Sequence, residues 1–279
     1  MRREDARKPL PATGASGGPA ALRSPRLYAF MGLYFERFFR RHMNGLRLAR
    51  WGAPELPQPS AGPVVVYSNH PGWWDGAVYI LLARRLFGAF EHYCPIDAAM
   101  LEKYRVFARI GAYGIDLESR RGAAAFLKVS AGLLSKPDRT LWVAAQGRFS
   151  DARLRPLGLR PGVARLAELA PGATFLPLAV EYAFWTERGA EALVAFGPPL
   201  RGSDLVALPR AERLARLETE LTGVMDRLAA DALARDPGRF DSLLEGRPGI
   251  GGVYDAWRRA KALLNGRRFD PSHRGEPAA

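Results

Sequence analysis

Residues 64–75 read VVVYSNHPGWWD, a buried-strand pattern that runs directly into a histidine and an aspartate. The three valines at its start form a β-branched run that favours a buried strand. Pro71 disfavours helical geometry at the residue before it and suits the first turn of a following helix. His70 is therefore predicted to lie at a strand-to-helix corner.

The corner could bring together a general base and the acid that orients it. On a continuous helix, residues five apart point about 140° apart, so His70 and Asp75 would diverge, whereas a corner before Pro71 lets the imidazole fold back over the helix. Neutral His70 could then take the proton of an alcohol or of water while the carboxylate holds its tautomer. The alternative is a solvated histidine and an aspartate placed favourably at the positive end of a helix.

The segment resembles the first motif of the glycerolipid acyltransferase family, in which Asn-His, four residues and Asp follow a hydrophobic strand. The Trp-Trp pair before the aspartate is similar to a variant in bacterial members. Enzymes of this family acylate lysophosphatidic acid (1-acylglycerol-3-phosphate) and related lysolipids. The resemblance implies that His70 and Asp75 are catalytic and that Asn69 binds substrate. It also implies direct acyl transfer from acyl-CoA or acyl carrier protein to a hydroxyl, without an acyl-enzyme.

A second predicted strand, ending at Ala145, is followed by Gln-Gly-Arg-Phe-Ser-Asp, where the family usually has Phe-Pro-Glu-Gly-Thr-Arg-Ser. Phe149 stands at the usual arginine position. A glycine after a strand lets the backbone approach a phosphate, and an adjacent guanidinium matches its oxygens. A solvated basic loop is the alternative. Candidate phosphate-binding residues by this resemblance are Gln146, Gly147, Arg148, Arg153 and Arg155.

Two further segments follow the family's order within residues 64–181. Residues 111–122 contain the glycines and isoleucine of its second motif, although the usual Ile-x-Arg is absent and the first arginines are Arg120 and Arg121. By resemblance these two arginines bind the acceptor. Residues 175–180 are similar to the fourth motif, a hydrophobic strand broken by proline that lines the acyl site. An ordinary buried strand explains these side chains equally well.

The chain is strongly basic, with 41 lysines and arginines against 28 aspartates and glutamates and a net charge of +13. Anionic partners are expected, and both nucleic acid and acidic lipid fit that charge. The sequence has no recognition-helix, zinc-finger or aromatic ribonucleoprotein pattern, so no specific nucleic acid is predicted as a partner. An anionic membrane surface is the expected partner.

Residues 26–43 combine aromatic side chains with arginines, which favours an amphipathic helix in a membrane interface. The equal alternative is a helix packed on the protein's own core. No run reaches the roughly 18 apolar residues of a transmembrane helix, and the N-terminus lacks the apolar core of a secretory signal. Peripheral attachment to the cytoplasmic face of the cell membrane is therefore expected.

Metal and disulfide chemistry have no support in the sequence. Cys94 is the single cysteine, which excludes an internal disulfide. His42, His92 and His273 lack carboxylate or cysteine neighbours at ligand spacing, so no metal site is predicted. No bound cofactor is predicted either, because acyl-CoA or acyl carrier protein would act as a cosubstrate.

Alternating strands and helices predict an α/β fold. We expect a mixed, largely parallel sheet with helices on both faces, an N-terminal amphipathic helix and C-terminal helices. Residues 1–25 are predicted to be a disordered basic tail, 26–265 a single acyltransferase domain and 266–279 a loose C-terminal tail. The predicted strands are 63–68, 91–95, 112–117, 140–145, 174–184 and 191–197. The predicted helices are 72–87, 98–109, 122–135, 161–169 and 208–235.

The expected function is a lysophospholipid O-acyltransferase that acts on an acceptor such as 1-acylglycerol-3-phosphate. Two alternatives stay open. Because the phosphate-binding motif is the altered one, the acceptor could be an amino-acid lipid such as lyso-ornithine lipid. Because Gln146 replaces the family's glutamate, the chain could also be a non-catalytic lipid-binding member of the fold.

Overall fold

A sheet of nine strands forms the centre of the computed structural model, which describes residues 18–246 and Lys261. The strands are β1 (Met43–Ala49), β2 (Val64–Ser68), β3 (Glu91–Asp97), β4 (Ala112–Ile115), β5 (Arg139–Ala144), β6 (Thr174–Ala183), β7 (Ala190–Phe196), β8 (Leu200–Arg201) and β9 (Phe240–Glu245). Their order is β4-β3-β5-β2-β6-β7-β1-β9, with β8 paired to β6.

Most neighbouring strands are parallel. The pairs β4–β3, β3–β5, β5–β2, β2–β6 and β7–β1 are parallel. The pairs β6–β7, β6–β8 and β1–β9 are antiparallel. The prediction of an α/β fold with a mixed, largely parallel sheet is therefore confirmed.

Helices cover both faces of this sheet. They are α1 (Gly18–Leu22), α2 (Pro25–His42), α3 (Asp75–Leu86), α4 (Ala98–Lys103), α5 (Arg120–Leu134), α6 (Gly162–Leu169), α7 (Gly202–Val206) and α8 (Arg210–Ala234). Helices α2 and α3 pack with Val64 and Val66 on one face. Helices α5, α6 and α8 pack with Val65 and Tyr67 on the other. Alternate side chains of β2 thus pack into the hydrophobic cores on the two faces of the sheet, which explains why the whole strand is buried.

The predicted elements are present with shifted ends. The helix predicted at 72–87 begins at Asp75, because the residues before it form a turn in which the Asp75 N–H donates to the Gly72 carbonyl at 3.2 Å. The helix predicted at 98–109 is α4 followed by a 3-10 helix at Arg105–Ile110, since Tyr104 leaves helical geometry. Strands β1, β8 and β9 were not predicted.

The prediction of a disordered tail over residues 1–25 is wrong for its described part. Residues 18–22 form α1, and the Ser24 side chain caps α2 by accepting from the Leu27 N–H at 3.3 Å. The Ser24 N–H donates to the Arg109 carbonyl at 2.8 Å, which joins this segment to the rest of the fold. Residues 1–17 and the predicted tail at 266–279 lie outside the described residues.

A buried ion pair joins β1 to β7. Arg47 Nε lies 2.8 Å from Glu191 Oε2, and both side chains are less than 5% exposed. The Asn44 amide donates to the other carboxylate oxygen of Glu191. Removal of Glu191 would leave buried Arg47 with only the half-exposed Glu245 carboxylate, 3.7 Å from Nη2, which is costlier than replacement of both partners by apolar groups.

Glu191→Ala should therefore lower the free energy of unfolding by about 3 to 5 kcal/mol, measured by urea denaturation. The double variant Arg47→Met/Glu191→Leu should lose much less, because it leaves no unpaired charge. Equal losses in the two variants would contradict this account.

His92 is a buried histidine on β3 that faces Tyr28, Trp142 and the Arg23 guanidinium. Burial, assisted by the positive charge of Arg23, lowers its pKa from 6.5 to about 3. The neutral form is thus favoured in the folded protein. Protonation favours the unfolded state as the pH falls below 6.5.

The free energy of unfolding should fall by roughly 2 kcal/mol between about pH 7.5 and pH 5 because of His92 alone. Other titrating groups add their own changes. His92→Gln cannot titrate and should lack this component. The measurement is the urea midpoint at both pH values for the two proteins. A parallel pH dependence in the variant would exclude His92 as the source.

Candidate active site

The candidate site lies at the carboxyl ends of the adjacent parallel strands β5, β2 and β6. Asn69 and His70 follow β2, and Gln146 follows β5. The helix after β2 packs on one face of the sheet, whereas the helix after β5 packs on the other. In α/β sheets, chains that leave in opposite directions open a crevice at this edge, where ligands bind.

His70 and Asp75 meet at this edge, as the corner predicts. His70 Nδ1 lies 2.5 Å from Asp75 Oδ2, and the Asp75 side chain is 0% exposed while that of His70 is 22% exposed. Because a carboxylate only accepts hydrogen bonds, this contact places a proton on Nδ1, so that in the neutral imidazole the lone pair is on Nε2. Nε2 has no partner among the described residues and is not enclosed. A base with a fixed tautomer therefore has its free nitrogen accessible.

The turn before α3 completes the carboxylate's environment. The Gly72 N–H donates to Asp75 Oδ2 at 3.2 Å, so this oxygen accepts from both an imidazole and a backbone amide. Asp75 is the first residue of α3, where the helix dipole favours a negative charge. The corner thus orients the imidazole and stabilises the buried charge with the same few residues.

Tyr182 is a site residue that the sequence analysis missed. Its hydroxyl donates to Asp75 Oδ1 at 2.6 Å from the end of β6. Burial and the neighbouring negative charge of Asp75 hold the pKa of Tyr182 well above its usual value, so the phenol stays a donor. No motif marks this contact, because it depends on how far β6 extends past β2.

Asn69 and Gln146 position backbone segments. The Asn69 amide donates to the Val180 carbonyl at 2.8 Å, and its oxygen accepts from the Val180 N–H at 2.9 Å. Gln146 Oε1 accepts from the His70 N–H, and Nε2 donates to the Leu157 carbonyl, both at 2.9 Å. Each polar atom of the two side chains has a backbone partner. The structure therefore gives both residues a positioning role in place of the substrate contact that the resemblance implies.

Phe149 is the aromatic neighbour of the imidazole. Its ring centroid lies 4.5 Å from that of His70, and 62% of Phe149 is exposed. The Ser150 N–H donates to the His70 carbonyl at 2.9 Å, which fixes the loop against the corner. The sequence analysis noted Phe149 only as a replacement for arginine and did not predict this contact.

Two arginines of the loop after β5 are engaged by nearby acids. Arg153 contacts both carboxylate oxygens of Asp151, at 2.9 and 2.7 Å, and holds the pKa of that carboxyl well below its usual range. Arg155 lies 2.5 Å from Asp226 and donates to two carbonyls of its own loop. A phosphate on the Nε–Nη2 edge of Arg153 or on Nη2 of Arg155 would have to displace these contacts, whereas Nη1 of Arg153 has no partner among the described residues.

Arg160 connects the loop after β5 to the segment at residues 111–122. It donates to the Leu117 carbonyl at 2.8 Å and contacts Glu118 at 3.3 Å. Gly147 has φ +62°, a conformation that favours glycine, and a side chain there would lie 2.8 Å from Arg160 Nε. The Gly147 turn thus lies beside the segment that leads into α5.

Three predicted ligands, Arg120, Arg121 and Arg148, are exposed. Within the described chain their guanidinium groups have no hydrogen-bond or ion-pair partner, so they remain able to attract anions. Over the same residues, no three histidine, cysteine or acidic side chains form a group that could hold a metal ion.

The exposed side of α2 continues toward the site. Phe30, Leu33 and Tyr34 are 50 to 62% exposed, whereas Phe35 and Phe39 are buried. The helix therefore uses one side for the core and presents aromatic groups on the other. In the part of the chain that the structure describes, no helix is long and apolar enough to cross a bilayer.

An aromatic path links α2 to the corner. The ring of Phe38 lies 6.0 Å from that of Tyr34, 6.2 Å from Trp73 and 5.3 Å from Trp74. Trp73, three residues after His70, is 60% exposed. The α2 surface and the corner are thus neighbours in the folded chain.

Comparison with known proteins does not assign the chain to a family. No protein-family model matches the chain, and no curated protein matches it. The family resemblance therefore depends on the motif-like segments themselves.

Proposed function

We propose that the protein is an acyltransferase that moves a fatty acyl group from acyl-CoA or acyl carrier protein to the hydroxyl group of a lipid. The single observation that carries this proposal is the 2.5 Å contact between His70 Nδ1 and the buried Asp75 carboxylate, with Nε2 left accessible. The motif-like segments resemble the glycerolipid acyltransferase family and support the same reaction. A lysophospholipid is the acceptor that this resemblance implies.

The proposed reaction needs one base and no covalent intermediate. Nε2 of His70 takes the hydroxyl proton while the oxygen attacks the thioester carbonyl, and Asp75 stabilises the imidazolium that forms. Collapse of the tetrahedral intermediate breaks the C–S bond, and the imidazolium returns the proton to the departing thiolate. Tyr182 and the Gly72 amide hold the carboxylate in place throughout.

Backbone amides close to His70 are candidates for oxyanion stabilisation. The N–H groups of His70, Gly147 and Ser150 are used inside the protein. Those of Trp73 and Phe149 have no hydrogen-bond partner among the described residues. Preorganised amides of this kind stabilise the negative charge that develops on a carbonyl oxygen.

We also propose peripheral attachment to an anionic membrane on its cytoplasmic face. The exposed aromatic side of α2 supports this proposal, together with the excess of arginines. Arg120, Arg121 and Arg148 are available to attract the phosphates of acyl-CoA or lipid headgroups, or the acidic surface of acyl carrier protein.

His70→Ala and Asp75→Asn should each lower kcat/KM by about 10³-fold or more, because the first removes the base and the second its orientation and countercharge. Thioester turnover with acyl-CoA and lysolipids, together with mass spectrometry of the lipid product, measures this loss. Asp97→Asn is the matched control, since Asp97 caps the start of α4, where its carboxylate accepts from the Ala99 and Met100 N–H groups and not from His70.

Unchanged activity in His70→Ala, with an unaltered unfolding midpoint, would reject the base assignment. Lipid binding by the unmodified chain without any thioester turnover would favour the non-catalytic alternative. The Asp97 control shows whether replacing a carboxylate at the start of any helix is enough to lower the activity.

Phe30→Asp/Leu33→Asp should weaken binding to vesicles of phosphatidylcholine and phosphatidylglycerol by about tenfold, because charged groups oppose insertion of the exposed side of α2. Vesicle co-sedimentation measures the effect. Leu233→Asp is the matched control, as Leu233 is 84% exposed on α8. Equal losses in both proteins, or none in the α2 variant, would contradict membrane docking through α2.

A further inference from the structure

Among the described residues, no positively charged side chain contacts the His70 imidazole. Its direct side-chain neighbours are the Asp75 carboxylate and the Phe149 ring. The two carboxamides that hold the corner, Asn69 and Gln146, are neutral and committed to backbone partners. A phosphate that approached the imidazole would lose water without gaining donors from these side chains.

Gln146 suits this neutral arrangement in a way that a glutamate would not. Its side chain is buried, and Nε2 donates to the Leu157 carbonyl. An ionised carboxylate cannot donate, so glutamate would leave this carbonyl unpaired and add a buried charge. The Gln146 side chain therefore contributes an uncharged group next to His70.

Two of the candidate phosphate-binding arginines, Arg153 and Arg155, contact neighbouring acids, whereas Arg148 is exposed and makes no contact with His70 among the described residues. Asp151 accepts from Nε and Nη2 of Arg153, and Asp226 contacts Arg155. Glu181 adds a further carboxyl group near both arginines, and burial raises its pKa. An anionic headgroup would have to compete with the Asp151 and Asp226 carboxylates for the contacted nitrogens of these two arginines.

Phe149 offers an apolar surface in their place. Its ring touches the imidazole, yet more than half of the residue is exposed. A large aromatic side chain gains stability when a ligand covers it, so a carbon-rich part of the acceptor is the group that fits here. The acceptor hydroxyl would then lie next to carbon atoms and away from a phosphate.

We infer that the preferred acceptor is an uncharged lipid alcohol of the acylglycerol class, whose hydroxyl reaches His70 while its apolar part packs on Phe149. This inference rests on the proposed acyl transfer and narrows its acceptor. The ester forms between the acyl carbonyl and the hydroxyl oxygen, and the thioester C–S bond breaks. The hydroxyl proton passes through His70 to the leaving thiolate.

The experiment compares two acceptors that differ by a phosphate. The full chain is supplied with palmitoyl-CoA or palmitoyl-carrier protein and with 1-oleoylglycerol or 1-oleoylglycerol 3-phosphate, each in micelles of an uncharged detergent. Mass spectrometry of the ester product gives kcat/KM for each acceptor. The uncharged acceptor should be preferred by about tenfold or more.

Phe149→Arg should shift this ratio toward the phosphate acceptor by about tenfold, because a guanidinium beside the imidazole can pair with phosphate. Leu154→Arg is the matched control. It adds the same charge to the same loop at a residue that is 44% exposed, and it should leave the ratio unchanged.

Three results would overturn the inference. Equal or better use of the phosphate acceptor by the unmodified protein would reject the uncharged acceptor and leave acyl transfer intact. A ratio that moves equally in both arginine variants would reject the role of Phe149. Absence of ester product with both donors and both acceptors, and with lyso-ornithine lipid as a third acceptor in the same assay, would reject acyl transfer itself and the inference with it.

Discussion

The buried carboxylate of Asp75 is the constraint on which the arrangement of the site depends. An ionised group without water is costly unless several donors surround it. The His70 imidazole, the Gly72 amide and the Tyr182 hydroxyl provide those donors. They come from both sides of the β2–α3 corner and from β6. The orientation of the His70 imidazole therefore depends, through the Asp75 carboxylate, on the correct packing of β2 against β6.

Neutral carboxamides organise the rest of this edge of the sheet. Asn69 makes a two-point contact with the Val180 backbone, and Gln146 joins the His70 amide to the Leu157 carbonyl. These contacts give loop amides and carbonyls the partners that a sheet ladder would otherwise provide. Asn69 and Gln146 thus support the corner without adding a charge to that of Asp75.

Local patterns predicted most of the fold because the strands near the site are buried and therefore consist of apolar residues that stand out in the sequence. Valine runs and the spacing of apolar residues predicted β2, β5 and β6 and the helices that cover them. Strand β1 escaped prediction because it carries Asn44 and Arg47, whose burial depends on Glu191 of β7. A polar strand becomes interpretable only when its distant partner is known. The two-residue β8 and the terminal strand of the sheet, β9, likewise depend on pairing with β6 and β1.

The sequence by itself determined that His70 and Asp75 could meet, because a strand end, Pro71 and a helix start lie within eight consecutive residues. Only the tertiary structure decided what surrounds them. Gln146 is 76 residues from His70 along the chain, and Tyr182 is 107 residues from Asp75. Phe149 and the acid partners of the loop arginines are likewise placed by strand order. A local corner is set by nearby backbone preferences, whereas contacts between strands require the sheet that brings their carboxyl ends together.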